Sequence, residues 1–344
     1  MTASGIAWTP NAIMSCWRCS GPTALRGRFS LTIRILITGG FGFVGGRLAV
    51  HLAQAGHQIV LGSRNANSLP VWLPQAEVVQ IVWDNLSSLE RACDRVNIVV
   101  HAAGMNAADS ESNSTEALKV NGLSTAKLLD SAISSGVEKF LYISTGHVYK
   151  SPLTGNVQET NKLENIHPYA SSHRAGEDMV RYAHQQQLID GIVTRLSNGY
   201  GSPMHRNVDC WMLLVNDLCR QAVETGRLVL KSSGVQSRDF IPMTSVCKIF
   251  SSLITKDKQT IGDGLFNIGS GRSMSVWEMA CLTQKRCEIL LNQKISLSRT
   301  ETPKNAINLE YRINKLMDTG ISHKVDHVDE IDRLIDFCIK NFCN

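Results

Sequence analysis

No acidic residue and no lysine occurs before Glu77, and the charges of residues 1–76 are six arginines. The remainder is close to neutral, so the net charge of +5 belongs to this first stretch. A nucleic-acid partner calls for a dense, clustered basic face, which is not present. An anionic cofactor bound near the N-terminal part accounts for the bias equally well. No uninterrupted apolar run of about 18 residues appears, which argues against a membrane span. Internal repeats and low-complexity tracts are absent too. Cys16 and Cys19 form a C-x-x-C, but no second cysteine or histidine pair stands at zinc spacing, so no metal site is expected. The ten cysteines fall mostly in apolar segments, as at Cys93, Cys219, Cys281 and Cys338. With no secretory signal evident, they read as reduced, buried thiols of a cytoplasmic protein.

What is present suits a large soluble protein. The 344 residues are 43% hydrophobic and 19% charged, enough for one large domain or two unequal lobes. Residues 1–30 are polar, carry Gly, Pro and Arg, and lack periodicity, so a disordered N-terminal extension is expected there. The structured chain should begin near Leu31.

The rest of the chain is organised around residues 33–46. A short apolar run from Ile33 to Ile37 reads as a buried strand, ends in glycines, and gives way to helical spacing from Val44 to Ala55. Strand, glycine turn, helix is the setting of a dinucleotide site. One glycine allows the turn, a second lets backbone approach a pyrophosphate, and a third lets the helix pack on the strand. Gly39, Gly42 and Gly45 fit one such spacing, and Gly40, Gly42 and Gly45 fit another. Phe43 and Val44 open the helix, whose free N–H groups would face the phosphates.

Gln58 to Leu61 reads as the second strand. It ends Gly62-Ser63-Arg64 with no carboxylate to hold ribose hydroxyls. Arg64 can pair with a 2′-phosphate, so NADP is favoured over NAD. Val78 to Trp83 is a third strand, with Asp84 placed to contact the adenine. Asn97 to His101 is a fourth, running into Ala102 and Ala103, whose small side chains admit the cofactor. His101, at a buried strand end, reads as a packed histidine. Thr115 to Ser134 reads as one long helix containing Asn121. A fifth strand, Glu138 to Ser144, ends at Thr145, and Tyr169 and His173 share a face at a later helix start.

Here the chain resembles an extended short-chain dehydrogenase/reductase of the NAD(P)-dependent epimerase/dehydratase family, which mostly acts on nucleotide sugars. The resemblance rests on Thr38 to Gly45, Ser144 to Tyr149 (S-T-x-x-V-Y), Pro168 to Glu177, Arg195 to Gly201, Arg238 to Ile241 and Phe266 to Gly271. It runs through nearly everything from residue 31 onward. It implies an α/β, doubly wound parallel-sheet NAD(P)-binding Rossmann fold over 31–200, and a smaller α/β C-terminal substrate lobe over 201–344. Strands near 238–242 and 264–268 are expected to return to the first domain.

The resemblance also implies roles. Tyr169 exchanges a proton with a sugar oxygen, Thr145 polarises that oxygen, and Ser144, Asn198 and Arg238 contact substrate. The family's lysine position is His173. Lysine is charged at neutral pH, whereas histidine, with a reference pKa near 6.5, is mostly neutral. Tyr169 and His173 would also border the cofactor. Dehydratases of the family carry an Asp-Glu pair where this chain has Gly146 and His147, so epimerisation or keto-sugar reduction is expected instead, in a polysaccharide or sugar-donor pathway. Such proteins often form homodimers through two helices, here those near Thr115–Ser134 and Tyr169. The alternatives are a dinucleotide-binding or regulatory protein weakened in catalysis, and an oxidoreductase acting on another ketone.

Overall fold

The computed structural model describes residues 32–65, 68–299 and 308–343. The expected disordered extension over 1–30, with Cys16 and Cys19, lies outside the described residues. Seven parallel strands form the central sheet, in the spatial order Leu265–Ile268, Asp190–Leu196, Lys139–Thr145, Ile98–His101, Arg34–Thr38, Gln58–Ser63, Glu77–Gln80. The order reverses at Arg34–Thr38, which opens a crevice beyond the carboxyl ends of the strands.

The strands are apolar on consecutive residues because helices cover both faces of a parallel sheet. Ile35 and Ile37 point to one face, with Leu48 and Leu52 of helix Phe43–Gln54 and Val246, Ile249 and Phe250 of helix Met243–Leu253. Leu36 points to the other, with Leu89, Leu128, Leu129, Val180 and Ala183. The period-two alternation of a strand thus feeds two cores from one apolar run.

A separate core lies under the C-terminal part. It joins Val215 and Leu218 of helix Leu214–Thr225, Met279 and Ala280 of helix Val276–Leu291, and Ile331, Leu334 and Ile335 of helix His327–Phe342. Helix Val276–Leu291 starts at a capping box, in which Ser275 and Glu278 satisfy each other's backbone N–H groups. Helix Leu214–Thr225 stops at Gly226, whose φ of 66° suits glycine.

Residues 264–268 return to the main sheet, whereas residues 238–242 pair with Asn198–Tyr200 outside that sheet and bury Ile241 in its core. Strand Ser237–Pro242 pairs with Asn198–Tyr200 and Ser273–Ser275 in a three-stranded sheet of its own. The helix expected over 115–134 is interrupted. Residues Leu118–Leu123 form a π-helical turn between Ser114–Ala117 and Ser124–Ser134. The wider turn brings the Asn121 side chain and carbonyl into the buried interior.

Candidate active site

The glycine turn is built for close approach. Gly39 has a φ of +64°, and a Cβ there would stand 2.8 Å from the Ala103 nitrogen. A Cβ on Gly45 would overlap the Gly39 carbonyl oxygen, so any side chain would push the helix off the strand. Gly42 caps helix Phe43–Gln54 with no side-chain hydrogen bond, which leaves N-terminal N–H groups for a ligand. This cradle, which any side chain would fill, fits a dinucleotide pyrophosphate.

Beside it lies a cavity of about 530 Å³ between the main sheet and the three-stranded sheet. Of the residues singled out in the sequence, Val44, Ala102, Ala103, Ser144, Thr145, Tyr169, His173, Asn198 and Arg238 line it. Gly39, Gly42, Phe43 and Gly45 form the adjoining turn. Arg64 and Asp84 lie outside the lining. Arg64 is exposed, and its carbonyl accepts from Gln80. The exposed Asp84 carboxylate is paired with Lys119 at 3.1 Å and Lys127 at 2.7 Å.

Helix Pro168–Gln185 carries Tyr169 and His173 into the cavity. Pro168 fits the first turn, and the His167 ring accepts from the Tyr169 N–H at 3.2 Å, which caps the helix start. Thr145 ends the strand opposite. Its hydroxyl accepts from the His147 N–H at 3.1 Å, leaving its own proton for Tyr169. Burial raises the Tyr169 phenol above its usual pKa, and the hydrogen bond from Thr145 opposes that rise. His173 is buried, and burial lowers its pKa to about 4. At neutral pH it brings no positive charge to the phenol.

Ser144 lines the cavity, yet its hydroxyl is committed elsewhere. It donates to the Glu177 carboxylate at 2.5 Å. Arg195 grips the same carboxylate through Nε and Nη2 at 2.6 to 3.1 Å. Burial works against the Arg195 charge, but the Glu177 carboxylate overrides it and raises its pKa. This buried pair ties the Tyr169 helix to the sheet beneath the cavity. Asn121 does similar work from the π-helical turn. Its side chain accepts from the Met105 N–H at 2.8 Å and donates to Ser172 at 3.0 Å.

Arg238 lines the cavity from strand Ser237–Pro242. Among the described residues nothing hydrogen-bonds or pairs with its guanidinium, and burial lowers its pKa. The neighbouring Asp239 is not its partner. That buried carboxylate accepts from Ser197 and Ser270 instead. The Asn198 amide donates to the Asp239 carbonyl at 2.9 Å, which orients it at the cavity wall. His147 lines the same cavity, near enough to feel the Arg238 charge. Burial first, then the Arg238 and His167 charges, lower its pKa.

Sequence reading did not single out Tyr142, Glu177 or Arg195 as supports of the site. Tyr142 sits in an apolar strand with no local signal. The Glu177–Arg195 pair spans two elements, so spacing along the chain could not reveal it. His101 is packed as expected, with ring nitrogens 2.6 Å from Thr38 and 2.9 Å from Thr125.

Comparison with known proteins agrees with this architecture. The chain is 26% identical over 335 residues to a dTDP-D-glucose 4,6-dehydratase of Mus musculus, covering 92% of this chain and 91% of that one. Among solved structures, an NAD-dependent NDP-hexosamine 5,6-dehydratase involved in tunicamycin biosynthesis superposes with a TM-score of 0.72 at 23% identity, covering 91% of this chain and 99% of that one. A UDP-glucuronic acid 4-epimerase from Bacillus cereus, solved with UDP-glucuronic acid and NAD, gives 0.73 at 20% identity, covering 90% and 99%. The sequence model of the NAD dependent epimerase/dehydratase family matches residues 35–269, more than half of the chain, and the chain belongs to that family.

Proposed function

We propose that the protein is an NAD(P)-dependent epimerase or reductase acting on a nucleotide-activated sugar. The observation that carries this reading is Arg238, a guanidinium with no partner among the described residues, lining the same cavity as Thr145 and Tyr169. A neutral ketone would leave that charge uncompensated, whereas a diphosphate accepts the guanidinium fork. Asn198 supplies a second polar contact on the same wall.

The nicotinamide, when bound, supplies or accepts the hydride. The chain's own residues do the rest. Gly39, Gly42, Phe43, Val44 and Gly45 would hold the pyrophosphate at the helix start, and Ala102 and Ala103 would admit the cofactor closely. Asp84 would serve the adenine only from outside the cavity lining, where it is paired with Lys119 and Lys127. Thr145 hydrogen-bonds the reacting sugar oxygen, and Tyr169 gives or takes its proton. Residues 31–200 serve as the cofactor domain and 201–344 as the substrate lobe, with the site between them. Gly146 and His147 stand where a dehydratase needs its acid pair, which favours epimerisation or reduction over loss of water.

NADP is preferred to NAD because Arg64 closes a strand end with no carboxylate. The protein works as a cytoplasmic homodimer. Leu118 and Leu123 on the interrupted helix, and Met179 and Tyr182 on the Tyr169 helix, are exposed apolar side chains suited to a paired-helix interface. A second reading, a dinucleotide-binding protein weakened in catalysis, is favoured by the neutral His173.

The test is a fluorescence titration with NADPH and separately with NADH, followed by competition with UDP, GDP and dTDP. Tighter NADPH binding and displacement of substrate by one nucleotide are expected. Binding of neither cofactor would overturn the enzyme reading. Turnover with no nucleotide sugar, despite cofactor binding, would select the second one.

A further inference from the structure

The hydrogen bonds beneath the cavity fix which nitrogen of His173 carries its proton. The Tyr142 phenol has one proton and three close neighbours, the third being the Thr125 hydroxyl, whose own proton goes to the Asn121 carbonyl. Its oxygen lies 3.1 Å from the Asn121 carbonyl oxygen and 2.8 Å from His173 Nδ1. A carbonyl only accepts, so the phenol proton points to Asn121. His173 Nδ1 must therefore be the donor in the second contact. The reverse arrangement would leave two buried oxygens in contact with no proton between them, and an unmade buried bond is costly.

The imidazole is neutral, so an Nδ1 proton leaves Nε2 as a bare lone pair. Nε2 is on the cavity side. It stands 3.8 Å from where a side chain on Gly104 would begin, and Gly104 lines the cavity. Among the described residues no group hydrogen-bonds it.

His101 is the opposite case on the other side of the same carbonyl. Thr125 Oγ1 donates to Asn121 at 2.8 Å and lies 2.9 Å from His101 Nε2. With its proton spent, Thr125 must accept there, so His101 carries its proton on Nε2. Its Nδ1 then accepts from Thr38 at 2.6 Å, and Thr38 accepts from the Ala103 N–H at 3.3 Å. Each donor of this hydrogen-bonded series, from Tyr142 to Ala103, meets an acceptor.

We propose that His173 is held as the Nδ1–H tautomer by Tyr142 and so presents a hydrogen-bond acceptor, not a donor, to the cavity. A lysine there would donate from a charged ammonium. This residue instead takes a bond from a ligand hydroxyl, of the kind carried by a ribose or a sugar. The ligand class rests on the proposed function, whereas the tautomer does not. Tyr142 is a positioning residue, since it acts through His173.

The test is a long-range proton–nitrogen NMR spectrum of the full chain labelled with nitrogen-15 histidine, recorded near pH 7 without ligand. The His173 and His101 signals are identified by their loss in His173→Gln and His101→Gln. His173 should show a pyrrole-type Nδ1 and a pyridine-type Nε2, and His101 the reverse. A His173 signal of the Nε2–H form, or an averaged one, overturns the proposal. Tyr142→Phe keeps the ring and removes one oxygen, and should shift His173 toward the Nε2–H form. An unchanged tautomer in that variant, folded by circular dichroism, overturns the role of Tyr142. In the wild type, a slowly exchanging Nδ1 proton close to the Tyr142 ring is expected, and its absence also overturns that role. Since no ligand is present, failure of cofactor binding bears on the proposed function and leaves this assignment intact.

Discussion

The rings of Tyr169 and His173 meet edge to face, with centroids 4.7 Å apart and planes at 77°. They are one helical turn apart, so the contact follows from the helix. The imidazole packs against the phenol but lends it no charge, because burial keeps it neutral down to about pH 4. A tyrosine serves as a base at neutral pH when a cation lowers its pKa. Here burial moves the Tyr169 phenol the other way.

The first consequence concerns pH. In the direction that needs a phenolate, kcat/KM of the wild type should rise from pH 7 to pH 9, since the raised Tyr169 pKa keeps the deprotonated fraction small there. His173→Lys should move that rise to lower pH by restoring a cation beside the phenol. A wild-type profile flat over this range, measured with any accepted nucleotide sugar, would place the rate-limiting proton elsewhere.

Replacing Tyr169 by Phe removes the proton carrier and keeps the ring. Turnover should fall by about two to four orders of magnitude, the usual worth of general acid–base catalysis. NADPH affinity, read by fluorescence, should change little. Survival of activity would refute the role given to Tyr169.

Arg238→Gln takes away the unpartnered guanidinium. Charge-assisted hydrogen bonds contribute about 1.5–3 kcal/mol each, so substrate KM should rise by roughly tenfold or more. Cofactor binding should be unaffected, because Arg238 belongs to the three-stranded sheet and not to the glycine turn. An equal loss in both titrations would point to a folding defect rather than a lost phosphate contact.

Stability should fall in acid through two histidines. Burial lowers His101 to about 3 and His173 to about 4, from a usual 6.5. Between these values the unfolded chain binds protons that the folded chain refuses, so stability rises with pH and is lost as pH drops below about 6.5. The unfolding temperature should decline from pH 6.5 toward 4, and His101→Gln should make the decline shallower. A wild type equally stable across that range would contradict the buried, neutral imidazoles.

Much of this protein is determined locally. The apolar runs at Ile35–Ile37 and Ile98–Val100 must be buried on both sides, which already demands a parallel sheet covered by helices. Gly39 needs a positive φ and Gly45 a missing side chain, so the turn declares its purpose in three letters. Tyr169 and His173 share a face because a helix repeats every 3.6 residues. The partners of charge and proton are another matter, since they come from distant segments. Glu177 meets Arg195 and Ser144 only after three elements pack together. Strand Ser237–Pro242 joins its own small sheet because Asn198–Tyr200 offers it an edge, a choice no local pattern encodes. Arg238 is an ordinary arginine in the sequence. It becomes a candidate ligand-binding group because folding gives Asp239 to Ser197 and Ser270 and leaves the guanidinium facing the cavity. The π-helical turn at Asn121 likewise lies beyond periodicity, and its carbonyl orients two histidines in opposite senses. Sequence alone settles what must be buried or bent; only the tertiary contacts decide which polar groups find partners and which, like the Arg238 guanidinium, are left facing the cavity.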